Sequence, residues 1–495
     1  MHKFISLLCL SLLLTACGGS DGGGEQSNSS QPSSGSGNTT EVTPVVTAVI
    51  TGNTANLLAG DLVRLSAQQS ANANVTAAYS WSFAEKPTTS SAKIAINNTA
   101  NLQFVADIAG DYKVNLTVTA GSQTQTRSVL IKVAANQPPT LKLQTPQLQN
   151  VLTDKPIRLD ASASLDPEMR ALQFGWQVLS EPAGSQLALL PQSQVDVTPI
   201  VAGDYKIKLT LHDGVNQVTD VVAFTAYKSI QTLKADAAAT ATAAQQVTAF
   251  FGEGSLDLPE QHAAEEHLQI ASDPIVGPHF IFTLHTKQDG DRELPFAKTD
   301  RQRAEMKSFS QSPDPFVCRL GDRMEVDFSM KMDNIQLSTS FTHLFQLKGK
   351  DDMPLFTLSA QKTASVTALR LNHLGADNKL QPLAAVPWEQ VNDRWLAISL
   401  RFSCAQQGYL EALIKNKATG SPIYLEHKSA GIRMWQDVSH DVYGIKTGLY
   451  RKIKDDCSPA QATATISCDD PAVMKKEFSR LQDSVRIAEL TIRKL

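Results

Sequence analysis

The chain is 495 residues long, with 45 Lys and Arg against 49 Asp and Glu and a formal net charge of −4. That length suits about three domains of ~100–200 residues each. A near-neutral balance without an extended basic cluster excludes a whole-molecule attraction to nucleic acid, so any preference for anions must be local.

From the N-terminus, a short basic start and an apolar run from Ile5 to Leu14 lead into Thr15-Ala16-Cys17, the pattern of a secretory signal. The run is too short to span a membrane as a mature helix. Leu14-Thr15-Ala16-Cys17 resembles the bacterial lipobox, which implies that residues 1–17 are a leader and that Cys17 is lipidated. Gly18, rather than Asp, follows it; the resemblance then implies an outer-membrane lipoprotein facing the periplasm or the cell surface. Residues 18–43 are nearly all Gly, Ser, Asn, Gln and Thr. They cannot bury enough apolar surface to order and are expected to form a disordered tether. Setting Cys9 and Cys17 aside leaves Cys318, Cys404, Cys457 and Cys468, an even set that suggests disulfides in an exported chain. Cys457 with Cys468 would clip a local loop and Cys318 with Cys404 would staple two strands, but all three pairings stay open. No Cys-x-x-Cys spacing is present, and neither metal nor cofactor is expected.

Residues 44–135 and 136–228 are a repeat. AGDYKVNLTVTAG (109–121) and AGDYKIKLTLHDG (202–214) match at an offset of 93 residues, with DLVRLSAQQS (61–70) and KPIRLDASAS (155–164) upstream. Short alternating runs between turn residues predict antiparallel sandwiches of immunoglobulin type. Tyr112, Val114, Leu116 and Val118 share one face, as do Tyr205, Ile207, Leu209 and Leu211, and Trp81 and Trp176 are expected in the cores. The modules resemble the polycystic-kidney-disease (PKD) type of domain, most fully in LDASAS-LDPE (159–168) of the second copy. That resemblance implies spacers. Residues 229–270, rich in Ala, Thr, Gln and Glu, are expected to be a linker with some helix or a lead-in strand.

Residues 271–495 again alternate over short runs, among them RAEMKSF (303–309), HLFQLKG (343–349), WLAISLRFS (395–403) and VRIAELTIR (485–493). This predicts one large all-β domain of jelly-roll type, concanavalin A-like, whose curved sheet offers a groove. In DRQRAEMK, alternation points Arg301, Arg303, Glu305 and Lys307 one way and Gln302, Ala304 and Met306 the other.

Three motifs carry a further resemblance: Arg303-Ala304-Glu305-Met306-Lys307, Gln346-Leu347-Lys348 and Lys446-Thr447-Gly448-Leu449-Tyr450. In this order they resemble the Arg-x-Glu-x-Arg, Gln-x-His and Lys-x-Gly-x-Tyr strands of jelly-roll alginate-lyase-like enzymes, and GIKTGLYR also resembles heparin-lyase-like jelly rolls. The resemblance implies a polysaccharide lyase acting on a uronate polymer by β-elimination. The chain departs from it at Lys348, where the pattern has His. Simple alternation places His343 on the opposite face from Gln346, as a core or back-face residue, and leaves His373, His427 and His440 as substitutes from other loops.

Such chemistry needs the uronate carboxylate neutralised as the enolate develops, a base for the C5 proton and an acid for the leaving oxygen. Arg303 suits bidentate carboxylate recognition and Gln346 donates to the same group without adding charge. Tyr450 is the candidate for proton transfer, as acid and as base, with Lys348 the alternative base. Glu305, Lys307, Lys446 and Arg451 are read as substrate-binding, Glu305 by orienting Arg303 or Lys307. Trp435 is read as a stacking platform, whereas Trp395 reads as core. The expected partners are an anionic polysaccharide and the membrane through the lipid anchor, with no nucleic acid and a monomeric chain. The alternative is a non-catalytic, lectin-like surface lipoprotein. A laminarinase-type hydrolase is disfavoured, because Glu325-Val326-Asp327 is followed by Phe, Ser and Met rather than by a second carboxylate.

Overall fold

The computed structural model of the chain describes residues 45–71, 76–146, 148–259, 265–286, 289, 301–338, 340–349, 353–363, 365–436, 442–452 and 481–495. Leader, tether, Cys17, His440, Cys457 and Cys468 lie outside the described residues. The structure is all-β in character, and contacts group the chain into two units, 1–135 and 136–495.

In the first unit, a three-stranded sheet (Thr51–Gly52, Asp61–Ser66, Asn101–Ala106) faces a four-stranded one (Leu57–Leu58, Gln123–Ala134, Gly110–Ala120, Ala78–Glu85). Period-two alternation builds the core: Tyr112, Val114, Leu116 and Val118 are fully buried along one strand. The Tyr112 hydroxyl donates to the Ile108 carbonyl at 3.0 Å, and Trp81, also buried, donates its indole N–H to Thr99. The second repeat copies these bonds. Tyr205 donates to the Val201 carbonyl at 2.6 Å and Trp176 donates to Gln192 at 2.9 Å. Trp176 is only half-buried, so it closes the margin of its core rather than the centre.

The second repeat runs directly into the C-terminal domain. Tyr227 at its end donates to Glu325 at 2.8 Å; burial, together with this carboxylate, raises the pKa of the Tyr227 hydroxyl well above its ordinary value. The strands that follow are β1 (Ser229–Leu233), β2 (Leu256–Asp257), β3 (Leu268–Asp273), β4 (Gly277–His285), β5 (Arg301–Lys307), β6 (Val317–Cys318), β7 (Arg323–Met332) and β8 (Thr342–Lys348). Then come β9 (Phe356–Lys362), β10 (Thr367–Leu374), β11 (Leu380–Pro387), β12 (Leu396–Ser403), β13 (Gly408–Asn416), β14 (Ile423–Ile432), β15 (Tyr443–Lys452) and β16 (Gln482–Lys494). They form two packed sheets. One has the order β3-β4-β16-β7-β12-β13-β14, with β1 also on β16; the other has β2-β5-β15-β8-β9-β10-β11, with β6 also on β15.

Between the sheets lies a core of buried apolar side chains, where Phe345 stacks on Phe328 and Phe356 at 5.7 and 5.8 Å. Segment 229–270 is built into this domain. Helix α1 (Ala243–Phe251) is started by a Thr242/Gln245 capping box and buries Val247 and Phe251 in the core. Cys318 on β6 and Cys404, just past β12, form a disulfide with Cα atoms 6.1 Å apart, joining the two sheets across 86 residues of chain. By the chain-entropy argument such a closure restricts the unfolded state by about 4–5 kcal/mol.

Candidate functional site

The three segments singled out in the sequence are neighbours. β15 lies between β5 and β8, with Arg303 opposite Tyr450, Glu305 opposite Gly448, Lys307 opposite Lys446, and Gln346 opposite Lys446. Paired residues share a face. Arg303, Glu305, Lys307, Lys446, Tyr450, Gln346 and Lys348 therefore stand on one side of the sheet, with Ala304, Met306 and Leu347 in the core behind them. Gly448 has φ +145°, and a Cβ there would lie 2.3 Å from the Ala304 carbonyl oxygen, so only glycine lets β15 approach β5 this closely.

His343 is on this face as well, against the expectation from alternation. A register shift falls between His343 and Phe345 toward both neighbouring strands, and His343 pairs with Tyr450 on one side and Ser359 on the other. Leu344 and Phe345 both go inward, which returns Gln346 and Lys348 to the same side as His343. The imidazole stacks on Phe341 at 4.5 Å and lies 5.9 Å from the Tyr450 ring. Its Nδ1 is 2.7 Å from the Ser359 hydroxyl, which donates its one proton to Thr357. Nδ1 must then carry the ring proton, and Nε2 is left as an acceptor. Burial, with Arg303, Lys348 and Arg301 close by, holds the imidazole neutral down to about pH 3.

Tyr450 is equally hemmed by cations. The Arg303 guanidinium lies 3.9 Å over its ring and Arg301 donates to its hydroxyl at 3.2 Å. Arg301, half-buried, is a member of the site that the motifs did not include.

Asp257 is the second residue missed. It comes from β2 in the segment read as carrying no motif, and it pairs with Glu305. Its carboxylate accepts from Lys307 at 2.5 Å, Lys446 at 2.9 Å and Arg303 at 3.2 Å. Glu305 is fully buried and accepts from Gln346 Nε2 at 2.7 Å, with Arg303 Nη1 3.7 Å from its other oxygen. Burial raises its pKa above the usual value, opposed by Arg303 and Lys446. Burial likewise lowers that of Lys446, opposed by Glu305 and Asp257. Only strand pairing in three dimensions reveals this network; nothing in the local sequence around Asp257 announces it.

Other expected members lie elsewhere. Arg451, expected to bind substrate, is fully buried on the opposite face, where Gln302 accepts from its Nε and Nη2 and Asp483 from its Nη1. Trp435, expected as a platform, is buried edge-on against Tyr443 at 4.9 Å. His373 pairs with Phe356, so it faces the core side, and its Nε2 lies 2.8 Å from the Arg433 carbonyl. His427 is on β14 of the other sheet. Two surface hollows, about 400 Å³ beside Asp166 and Met169 and about 330 Å³ beside Asp327 and Arg493, contain none of these residues.

Comparison with known proteins bears on the two halves separately. Residues 52–133 match the PKD-domain family that takes its name from the KIAA0319-like protein. The match falls on the first repeat, although its loop lacks the Asp-Pro of the second. The mouse (Mus musculus) dyslexia-associated protein KIAA0319-like protein is 29% identical over 153 residues, which are 30% of this chain and 14% of that protein. The chain thus spans about a seventh of the length of this curated relative. Among solved structures, alginate lyase AlgAT5 of polysaccharide lyase family 7 aligns with 48% of this chain and 93% of its own, at 12% identity and a TM-score of 0.29. An alginate lyase from Pseudomonas aeruginosa aligns over 48% and 97%, at 12% identity and 0.28. Fibronectin(III)-like modules of Clostridium thermocellum CbhA align over 36% and 94%, at 14% identity and 0.21.

Proposed function

We propose that the chain is a surface-anchored polysaccharide lyase that cleaves a uronate-containing polymer by β-elimination, with its two sandwich modules as spacers. The observation that carries this reading is the placement of a neutral His343 beside Tyr450, under Arg301 and Arg303, on a face with more cations than carboxylates among the described residues. Arg301 and Lys348, both half-buried, are the cations with surface to offer a uronate carboxylate. Neutralising it makes the C5 proton removable. His343 Nε2 takes that proton, the C5–H electron pair becomes the C4=C5 double bond, and the C4–O bond breaks. The departing oxygen takes a proton from the Tyr450 hydroxyl, whose phenolate is held by Arg301 and Arg303 until His343 returns a proton through solvent. His343 thus fills the role left open by Lys348.

The second reading, a carbohydrate-binding surface without catalysis, has an observation of its own: Asp257 already engages Arg303, Lys307 and Lys446. Incubation of the chain with a panel of uronate polymers separates the two. A rise in ultraviolet absorbance from the conjugated C=C–carboxylate product, lost in Tyr450→Phe and His343→Gln, is the expected result. Polymer retention on an affinity gel without that rise would leave only the binding surface.

A further inference from the structure

Three side chains that the elimination does not use converge at the far end of the strands that carry it. His267 directly precedes β3, His285 ends β4, and Asp289 follows it four residues later. His267 Nε2 lies 3.0 Å from Asp289 Oδ1 and 3.3 Å from His285 Nδ1, and His285 Nδ1 lies 3.5 Å from Asp289 Oδ2. Ligand atoms on a tetrahedral zinc with bonds of about 2.0–2.1 Å stand about 3.3–3.4 Å apart. The trio is therefore already spaced as three corners of such a tetrahedron. Two imidazoles and one carboxylate suit zinc or a neighbouring transition metal, and argue against Ca²⁺ and Mg²⁺, which take oxygen ligands.

The surroundings are those of a built site. The His267 and Asp289 side chains are 4% and 0% exposed, and that of His285 is 14% exposed. The Asp289 carboxylate is aimed by the backbone, because the His285 N–H donates to Oδ2 at 2.5 Å. The Asp289 N–H in turn donates to the His285 carbonyl at 3.1 Å. Gln302 then clamps the turn: its Nε2 donates to the carbonyls of His285, Thr286 and Asp289, each at 3.1 Å. Outer hydrogen bonds of this kind orient metal ligands. Sequence spacing hides the set, since His267 and His285 stand 18 residues apart.

We infer that His267, His285 and Asp289 bind a zinc-type divalent cation, with water completing the tetrahedron on the flank of His285. The cation staples the end of β4 and the start of β3 together. Gln302 passes that restraint to β5, and its Oε1 accepts from Arg451 next to Tyr450. Its role is to hold the strand ends in place; Gln302 and Arg303 point to opposite faces, so the cation stands apart from the proton-transfer face.

The test uses the full chain stripped with a chelator, then given Zn²⁺, Co²⁺ or Ca²⁺ and passed through gel filtration. One zinc retained per chain, a thermal midpoint raised by several degrees, and a strong visible Co²⁺ band of the tetrahedral type are expected, with Ca²⁺ without effect. His285→Gln and Asp289→Asn should each weaken zinc retention at least tenfold. Wild-type chain that retains no zinc and shows no shift in midpoint would overturn the inference and leave a hydrogen-bonded trio. Undiminished zinc in both variants would overturn it too, by placing the metal elsewhere. The wild-type readings stand even where a variant fails to fold.

Discussion

Strands β5 and β15 carry a buried ionic network on each face, and the two differ in how completely charge is matched. On the inner face, the Arg451 guanidinium is met by Gln302, the Gln336 carbonyl and Asp483, and neither Arg451 nor Asp483 reaches solvent. On the outer face, Arg301, Arg303, Lys307, Lys348 and Lys446 stand around two carboxylates among the described residues, Asp257 and Glu305, while Tyr450 and His343 each keep 7% of their surface. A matched pair fixes how the sheets register but has nothing left to offer a ligand. A cation excess at a partly accessible face is balanced by an anion from outside. Tyr450 and Arg451, adjacent on one strand, thus belong to different machinery.

Breaking the matched network should have the largest effect on stability. Arg451→Leu leaves Asp483 buried and uncompensated, which costs about 3–5 kcal/mol in denaturant unfolding. Polymer binding by the fraction still folded should be unchanged. Tyr450→Phe inverts this outcome: it removes one hydrogen bond from Arg301, worth about 1 kcal/mol or less. Its elimination rate should fall about 10²–10⁴-fold. Equal losses of stability in the two variants would erase the distinction between the faces.

Much of the fold was legible because it rests on period-two alternation, which needs no tertiary information. The repeated AGDYK strands bury Tyr112 and Tyr205 as expected, and the pairing of Cys318 with Cys404 was among those left open. The site was legible where motif residues lie on regular strands, as in Arg303 to Lys307 against Lys446 to Tyr450. It was not where regularity fails. The Leu344-Phe345 doublet between polar His343 and Gln346 is the one trace of the bulge, and reading it as plain alternation sent His343 to the wrong face. Arg451 shows the converse: an arginine next to a motif tyrosine points away from it on a regular strand. Asp257 and the His267–His285–Asp289 trio come together only through strand pairing and a turn, so no local pattern marks them.

The outer face should also show in acid. Folded His343 stays neutral down to about pH 3, whereas in the unfolded chain it takes up a proton near its ordinary value of 6.5. Between those values the unfolded state binds more protons, so stability falls as pH drops, with a slope approaching about 1.4 kcal/mol per pH unit. His343→Gln should flatten that slope, read from denaturant midpoints at stepped pH. Glu305, whose pKa is raised, works the other way: its folded carboxyl takes up a proton first and partly offsets the loss.

The smallest expected effect sharpens the comparison most. Asp257 is the internal anion of the outer face, and Asp257→Asn keeps its shape while removing its charge. Three cations then lose a counter-charge, so a uronate polymer should bind about three- to tenfold tighter at low ionic strength, or roughly 1 kcal/mol. The gain should fade as salt screens it. Affinity electrophoresis at two salt concentrations reads both effects. Weaker binding in an Asp257→Asn chain that still unfolds at the wild-type midpoint would mean that Asp257 holds the cations in place for the ligand. The excess would then be an organised site in its own right, and the carboxylate would belong to the recognition surface whose charge it partly cancels.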